Sequence, residues 1–212
     1  MLRPQGERAE LVHQVLLFLQ EKNVGCVAHF YGIDEQNREI LSFLPRTCPN
    51  ELDDFSEEQC CQAAKIIRLL HEVLREFPNC EDGQVVCHND LSPCNFIFQN
   101  GLPYAVIDWD ALSIGDPVDD LAYTIWLWLD MGYEQRDVVT IGQKMKWMLD
   151  TYGLKQEQRT DFLNHILMQM QRIEGLGRLQ KRYETTAWAE KCQRWLKEHW
   201  HLLVCYLSQK TK

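Results

Sequence analysis

Residues 88 to 95, "HNDLSPCN", set a histidine, a carboxylate and, five residues past that carboxylate, an amide directly after the apolar run Val85-Val86-Cys87. The run "NFIFQNGLPYAVID" follows, and the couplet "IDWD" closes at Asp110. Metal-assisted phosphoryl transfer asks for these groups. It needs magnesium to hold phosphates and neutralise charge, and a carboxylate to orient the attacking hydroxyl and accept its proton. Magnesium prefers oxygen and keeps several waters, so an amide oxygen and one or two carboxylates suffice. Asp90 is the candidate base, Asn95 and Asp108 are candidate metal ligands, and Asp110 could touch a second magnesium. The plainer reading of Asp90, Asn95 and Asp108 is as turn and strand-end residues, and of Asp110 as a solvated loop carboxylate.

The elements around these residues decide whether they can meet. Asn100-Gly101 between two apolar runs is a strong hairpin signal. A tight hairpin brings its ends together, so Asn95 and Asp108 become neighbours. "QVVCH" reads as the preceding strand. Upstream, Ser56 caps a helix, Gln59 completes a capping box and Phe55 is placed to staple onto Cys60. Cys60, Ala63, Ile67, Leu70 and Leu74 form its buried stripe. Residues 9–20 read as a helix with Leu11, Val15, Phe18 and Leu19 on one face. "CVAHFYGI" and "EILSFL" read as short strands, and "PRTCPNELDD" as a lobe boundary.

Downstream, Asp116 is an N-cap with Pro117 at the first helical position. Helices are expected over about 135–152, ending at Gly153, and about 157–182. A last one carries Trp188, Cys192, Trp195, His199, Leu202 and Tyr206. Asp116, Asp119 and Asp120 read as structural groups in a first helical turn, His71 and His199 as hydrogen-bonded core residues, and Cys94 as a space-filling thiol. The order gives an α+β fold: a small sheet-bearing lobe over residues 1–45, then a larger, mainly helical lobe over 46–212.

The 212 residues carry a formal charge of −9. That excludes a nucleic-acid backbone as the expected partner and suits a cationic small molecule. Nine scattered cysteines without a C-x-x-C pair indicate neither a zinc site nor a disulfide framework. With no apolar signal core and no spanning segment, the expected setting is cytoplasmic, away from membranes.

"VVCHNDLSPCNFIF…YAVIDWDALSIGDPVDDLAY" resembles the core of the aminoglycoside phosphotransferase and choline kinase family, whose fold is protein-kinase-like. The family pattern is H-x-D-x-x-x-x-N, a hairpin, I-D-[WF/L] and G-D-P-x-x-D-L-A, here in order and at the expected spacing. "IIRLLHEV" and "REILSFLP" extend the match to a leucine-rich helix and to the hinge joining the lobes. The resemblance implies that Asp90 is the general base, that Asn95 and Asp108 bind magnesium, and that His88 braces the loop. It also implies ATP as phosphoryl donor, with adenine held by the main chain at Ser42 and Leu44.

Two departures accompany the match. The family places a Gly-rich hairpin before a strand whose basic residue grips the phosphates; here "MLRP" puts Arg3 near that basic position and leaves the hairpin no residues. The following helix should offer a glutamate, yet His13 lies closest to its place, with Glu10 one turn earlier. The expectation is a small-molecule kinase acting on a substrate hydroxyl, with an incomplete nucleotide lobe. The alternative is a catalytically impaired binding or scaffolding protein of kinase fold. The short N-terminus adds the expectation of a homodimer through the exposed edge of the N-lobe sheet.

Overall fold

Three short strands, Leu2–Pro4 (β1), Phe30–Ile33 (β2) and Arg38–Leu41 (β3), form an antiparallel sheet in the order β1-β3-β2. The computed structural model describes residues 1–45, 48, 49 and 52–208. Helix Ala9–Glu21 (α1) covers the sheet and buries Val12, Val15, Leu16 and Leu19. The strand expected over "CVAHFYGI" is shorter than its apolar run. Val27 instead bridges in parallel to Val106, and the Val106 amide donates to the Cys26 carbonyl at 2.8 Å. The first half of that run therefore leaves its own sheet for the hairpin of the larger region. The next strand stops at Leu41, because Ser42 turns to exchange bonds with His29: its N–H donates to the His29 carbonyl, and its hydroxyl accepts the His29 N–H. The boundary segment "PRTCPNELDD" falls in part on residues 46, 47, 50 and 51, outside the described residues.

Helix Glu57–Leu74 (α2) starts as its cap demands, with the Ser56–Gln59 box complete and the expected stripe buried. Phe55 is not a simple staple. Its carbonyl meets the Cys60 thiol at 3.8 Å, while its ring packs on Trp128, centroid to centroid 4.7 Å. Strands Phe96–Gln99 (β5) and Leu102–Val106 (β6) form the hairpin. Its two turn residues, Asn100 and Gly101, both take positive φ, +53° and +80°, which a tight two-residue turn requires. Strand Val85–Cys87 (β4) pairs with Ser113–Gly115 (β7), a partner too short to show any periodicity.

The helical region follows. Asp116 caps Pro117–Trp128 (α3), accepting the Val118 N–H at 2.8 Å. Asp137 caps Val138–Tyr152 (α4), which ends at Gly153 with φ +78°. The helix expected over 157–182 is two: Gln156–Arg159 (α5) and Phe162–Leu179 (α6). Arg159 is buried and reaches back to Asp150 at 2.6 Å and the Leu154 carbonyl at 3.0 Å, which turns the chain before α6 begins. Tyr183–Leu207 (α7) closes the fold. One apolar cluster runs from α1 through α2 and α3 into α4, α6 and α7, with Trp126 and Trp128 at its centre. All nine cysteines are free. Among the described residues no helix is long and apolar enough to cross a membrane.

Candidate active site

The loop after β4 is held by a buried carboxylate from α3. Asp120 accepts the backbone N–H groups of His88 and Asn89, each at 2.8 Å, and His71 Nε2 at 3.1 Å. His71 continues to the Tyr152 hydroxyl at 2.8 Å. Asp120 is thus structural, as its helix-start position suggested, but it works through this network inside the core rather than on a solvated helix end. Burial alone would raise its pKa, yet the His71 hydrogen bond and the nearby imidazoles outweigh that and hold the carboxyl below its ordinary range.

His88 is fixed by opposite demands on its two nitrogens. Nδ1 accepts the Asp90 N–H at 3.3 Å, while Nε2 stands 3.1 Å from the Ile107 carbonyl, to which it can only donate. That is the neutral imidazole, and full burial pushes its pKa down further. The residue braces the loop against the hairpin and packs on Trp109.

Asn95 ties the site together. Its side-chain N–H₂ donates to the Asp90 carbonyl at 2.8 Å and to Asp90 Oδ2 at 2.9 Å. Its backbone carbonyl accepts the N–H of Ile107, the neighbour of Asp108, at 2.9 Å. With both amide protons so directed, the side-chain oxygen is the atom left to ligate a cation. Asp108 adopts left-handed backbone geometry, φ +66°, as the chain leaves the hairpin. Its pKa is raised by burial and by Asp110, against the pull of Arg3.

Arg3 reaches these carboxylates from β1. Its guanidinium lies 3.4 Å from Asp108 and 2.9 Å from Asp110, while its Nε donates to Glu39 at 2.8 Å. Glu39 is fully buried and also meets His13 Nε2 at 2.9 Å. The carboxylate that meets Arg3 thus comes from β3, with His13 of α1 on its other oxygen. Gly6 allows this approach, since a Cβ there would stand 3.3 Å from Asp110. Arg8 adds a bond to the Leu112 carbonyl at 2.7 Å.

Two clefts flank the tied residues. One of about 450 Å³ is lined by Arg3, Ser42, Leu44, Asn95, Ile107 and Asp108. At Ser42 the N–H is already spent on His29, and among the described residues its carbonyl has no backbone partner and can face a ligand. The Leu44 N–H has no partner among the described residues. Cys94 also borders this cleft; burial and then Asp90 raise its pKa, as befits a space-filling thiol. The second cleft, about 330 Å³, opens on Asp90 and Tyr123.

The donor set is oxygen only, which fits a hard divalent cation. Among the described residues no three His, Cys, Asp or Glu side chains make a self-sufficient metal cage; a nucleotide's phosphates would complete the shell.

The phosphotransferase enzyme family model, APH, matches residues 2–151. The chain belongs to the APH family. A trifolitoxin immunity protein of Rhizobium leguminosarum bv. trifolii is 28% identical over 158 residues, 64% of this chain and 60% of the relative. The chain thus spans about three fifths of that relative's length. An amicoumacin kinase in complex with AMP-PNP and Ca²⁺ superposes with a TM-score of 0.67 at 11% identity, over 89% of this chain and 78% of that one. A choline kinase from Cryptosporidium parvum Iowa II gives 0.63 at 11% identity, over 92% and 79%. At such identities the likeness shows the fold: kinase-like α+β, with a small sheet region and a larger helical region.

Two residues that touch the candidate site carry no motif of their own in the sequence. Tyr123 is hidden in the apolar run of α3, and nothing local marks it. Glu39 did leave a signal: alternation along β3 places it on the inward side with Leu41, where a carboxylate needs a partner.

Proposed function

We propose that this chain is a small-molecule kinase, transferring the γ-phosphate of ATP to an acceptor hydroxyl. One observation carries the reading: Asn95 grips the Asp90 carboxylate and carbonyl while its own carbonyl holds the residue next to Asp108. In this reading Asp90 orients the acceptor hydroxyl and takes its proton. The hydroxyl oxygen bonds to the γ-phosphorus, the bond to the bridging oxygen breaks, and ADP leaves. Asn95 and Asp108 hold magnesium, with Asp110 toward a second ion. Bound magnesium supplies charge neutralisation along the phosphates. Arg3 turns to the phosphates, and the Ser42 carbonyl and Leu44 N–H hold the adenine edge.

Asp90→Asn tests it. Removing a general base costs about 10²–10⁴-fold in turnover, so ADP release should fall at least a hundredfold with the melting temperature unchanged. Undiminished transfer would refute the assignment.

The Arg3 ion pairs favour a second reading, in which Asp108 and Asp110 are already neutralised and the chain is a catalytically impaired binding or scaffolding protein. A relative named as an immunity protein suits that reading too. Magnesium-ATP at a hundred times its Kd adds about 2.7 kcal/mol of stability; no rise in Tm at millimolar chelate would favour the scaffold. A homodimer through the N-terminal sheet belongs to the proposal as well, since Leu2, Tyr31 and Ile33 on that sheet are exposed. A clean monomer in light scattering at high concentration counts against it.

A further inference from the structure

The cleft beside Asp90 has a charge character opposite to that of the whole chain. It is walled by the loop at Asn89 and Asp90, by Tyr123, and by the corner where α6 meets α7. Asp90 is the one carboxylate in its lining, set against two guanidinium groups, Arg172 and Arg182. Arg172 donates to the neutral Gln169 at 2.9 Å, lies over the Tyr123 ring at 5.7 Å, and reaches the Asn89 carbonyl only at 3.5 Å. Arg182 is exposed, and its side chain has no partner among the described residues. Arg178 on the same corner behaves differently, being neutralised by Glu174 at 2.6 Å and Glu190 at 2.8 Å. The neighbouring Asp119 and Asp120 are hydrogen-bonded to His165 and His71.

The corner is built to hold this arrangement. The Arg182 N–H donates to the Gly177 carbonyl at 2.8 Å, and its carbonyl accepts Thr186 N–H at 3.0 Å. A Cβ on Gly177 would stand 2.7 Å from Thr186 Oγ1, so glycine there sets how closely α7 approaches α6. Charges in a concave site act more strongly than the same charges on an open face. A guanidinium fork matches the two oxygens of a carboxylate or phosphate.

We infer that the acceptor is a hydroxyl compound carrying a carboxylate or phosphate, bound through Arg172 and Arg182 with its hydroxyl turned to Asp90. The inference rests on the kinase reading and gives it a substrate class, in place of the cationic acceptor that a net charge of −9 suggested. The arginines fix the anionic end of the acceptor, and Asp90 addresses the other.

Three six-carbon probes test it on the intact chain: D-gluconate, neutral D-glucitol and cationic D-glucosamine, titrated calorimetrically at low ionic strength without metal. Gluconate should bind about tenfold more tightly than glucitol, as one charge-assisted contact would give, with glucosamine weakest. Arg172→Gln with Arg182→Gln should erase the preference; Arg178→Gln, a change at an arginine already paired, should leave it. Glucosamine binding as well as gluconate, a preference that survives the double variant, or no binding of any probe at tens of millimolar overturns the inference. Magnesium-ATP thermal shifts on the same samples separate the two claims. A shift together with a glucosamine preference defeats the acceptor class alone, and a gluconate preference without a shift defeats the kinase reading alone.

Discussion

The Tyr123 hydroxyl donates to Oδ1 of Asp90 at 2.9 Å, while Asn95 holds Oδ2 of the same carboxylate. Burial, and then the Asp90 charge, raise the Tyr123 pKa, so the phenol remains a donor at any working pH. The carboxylate is clamped from both sides, with its plane fixed before an acceptor arrives. Tyr123→Phe frees one side. A lost hydrogen bond to a charged group is worth about 1.5–3 kcal/mol, so kcat should fall about tenfold or more, with KM little changed. Steady-state ADP release reads both.

Glu39 is fully enclosed between Arg3 and His13. Removing one member of a buried charge pair leaves the other stranded. Because Arg3 is one-quarter exposed, Glu39→Ala should cost about 2–3 kcal/mol, at or below the low end for buried pairs. Glu39→Gln keeps the geometry and should cost less. Urea unfolding of the two variants checks the order.

Asp108 and Asp110 separate by position. Asp108 follows the hairpin and lines the 450 Å³ cleft with Asn95, whereas Asp110 faces Arg3 and Gly6. Asp108→Ala should abolish magnesium-dependent stabilisation by ATP. Asp110→Ala should weaken it less than tenfold. Thermal shifts across a magnesium titration distinguish the two.

Acid should act on the loop in two stages. His88 has a folded pKa below its ordinary 6.5, so below that pH the unfolded chain takes a proton that the folded chain refuses. Its contribution is whole above 6.5 and lost as pH falls from there. Asp120 has a folded pKa below 3.8, so its contribution is whole above that value and lost as pH falls through the folded pKa. The melting temperature should be flat between pH 7 and 8 and decline from near pH 6.5, then more steeply below 3.8. His88→Asn should lack the first decline.

The hairpin, the α2 cap and the Asp116 and Asp137 caps follow local chemistry, and the first three could be read from the sequence. A two-residue turn or a capping box depends on residues adjacent in the chain. The break at Arg159 could not be read, because a buried ion pair to Asp150 decides it and the helical spacing continues across it. The same holds for the cleft beside Asp90. Arg172 lies on α6 and Arg182 at the turn that caps α7, and the corner around Gly177 brings them into the cleft with Asp90. The dyad of Asn95 and Asp90 was visible as spacing, but its clamping by Tyr123 was not, since one tyrosine in an apolar helix looks like packing.

Arg3 joins the two regions by lending one guanidinium to Glu39, Asp108 and Asp110. In the kinase reading, the cation assigned to phosphate and the anions assigned to metal therefore satisfy each other. A bare divalent ion must compete with a guanidinium, and a bare nucleotide must draw that guanidinium away from its carboxylates. Their chelate swaps partners in a single exchange, each half releasing what the other needs. Metal and nucleotide should consequently bind with strong mutual reinforcement, each one feeble alone.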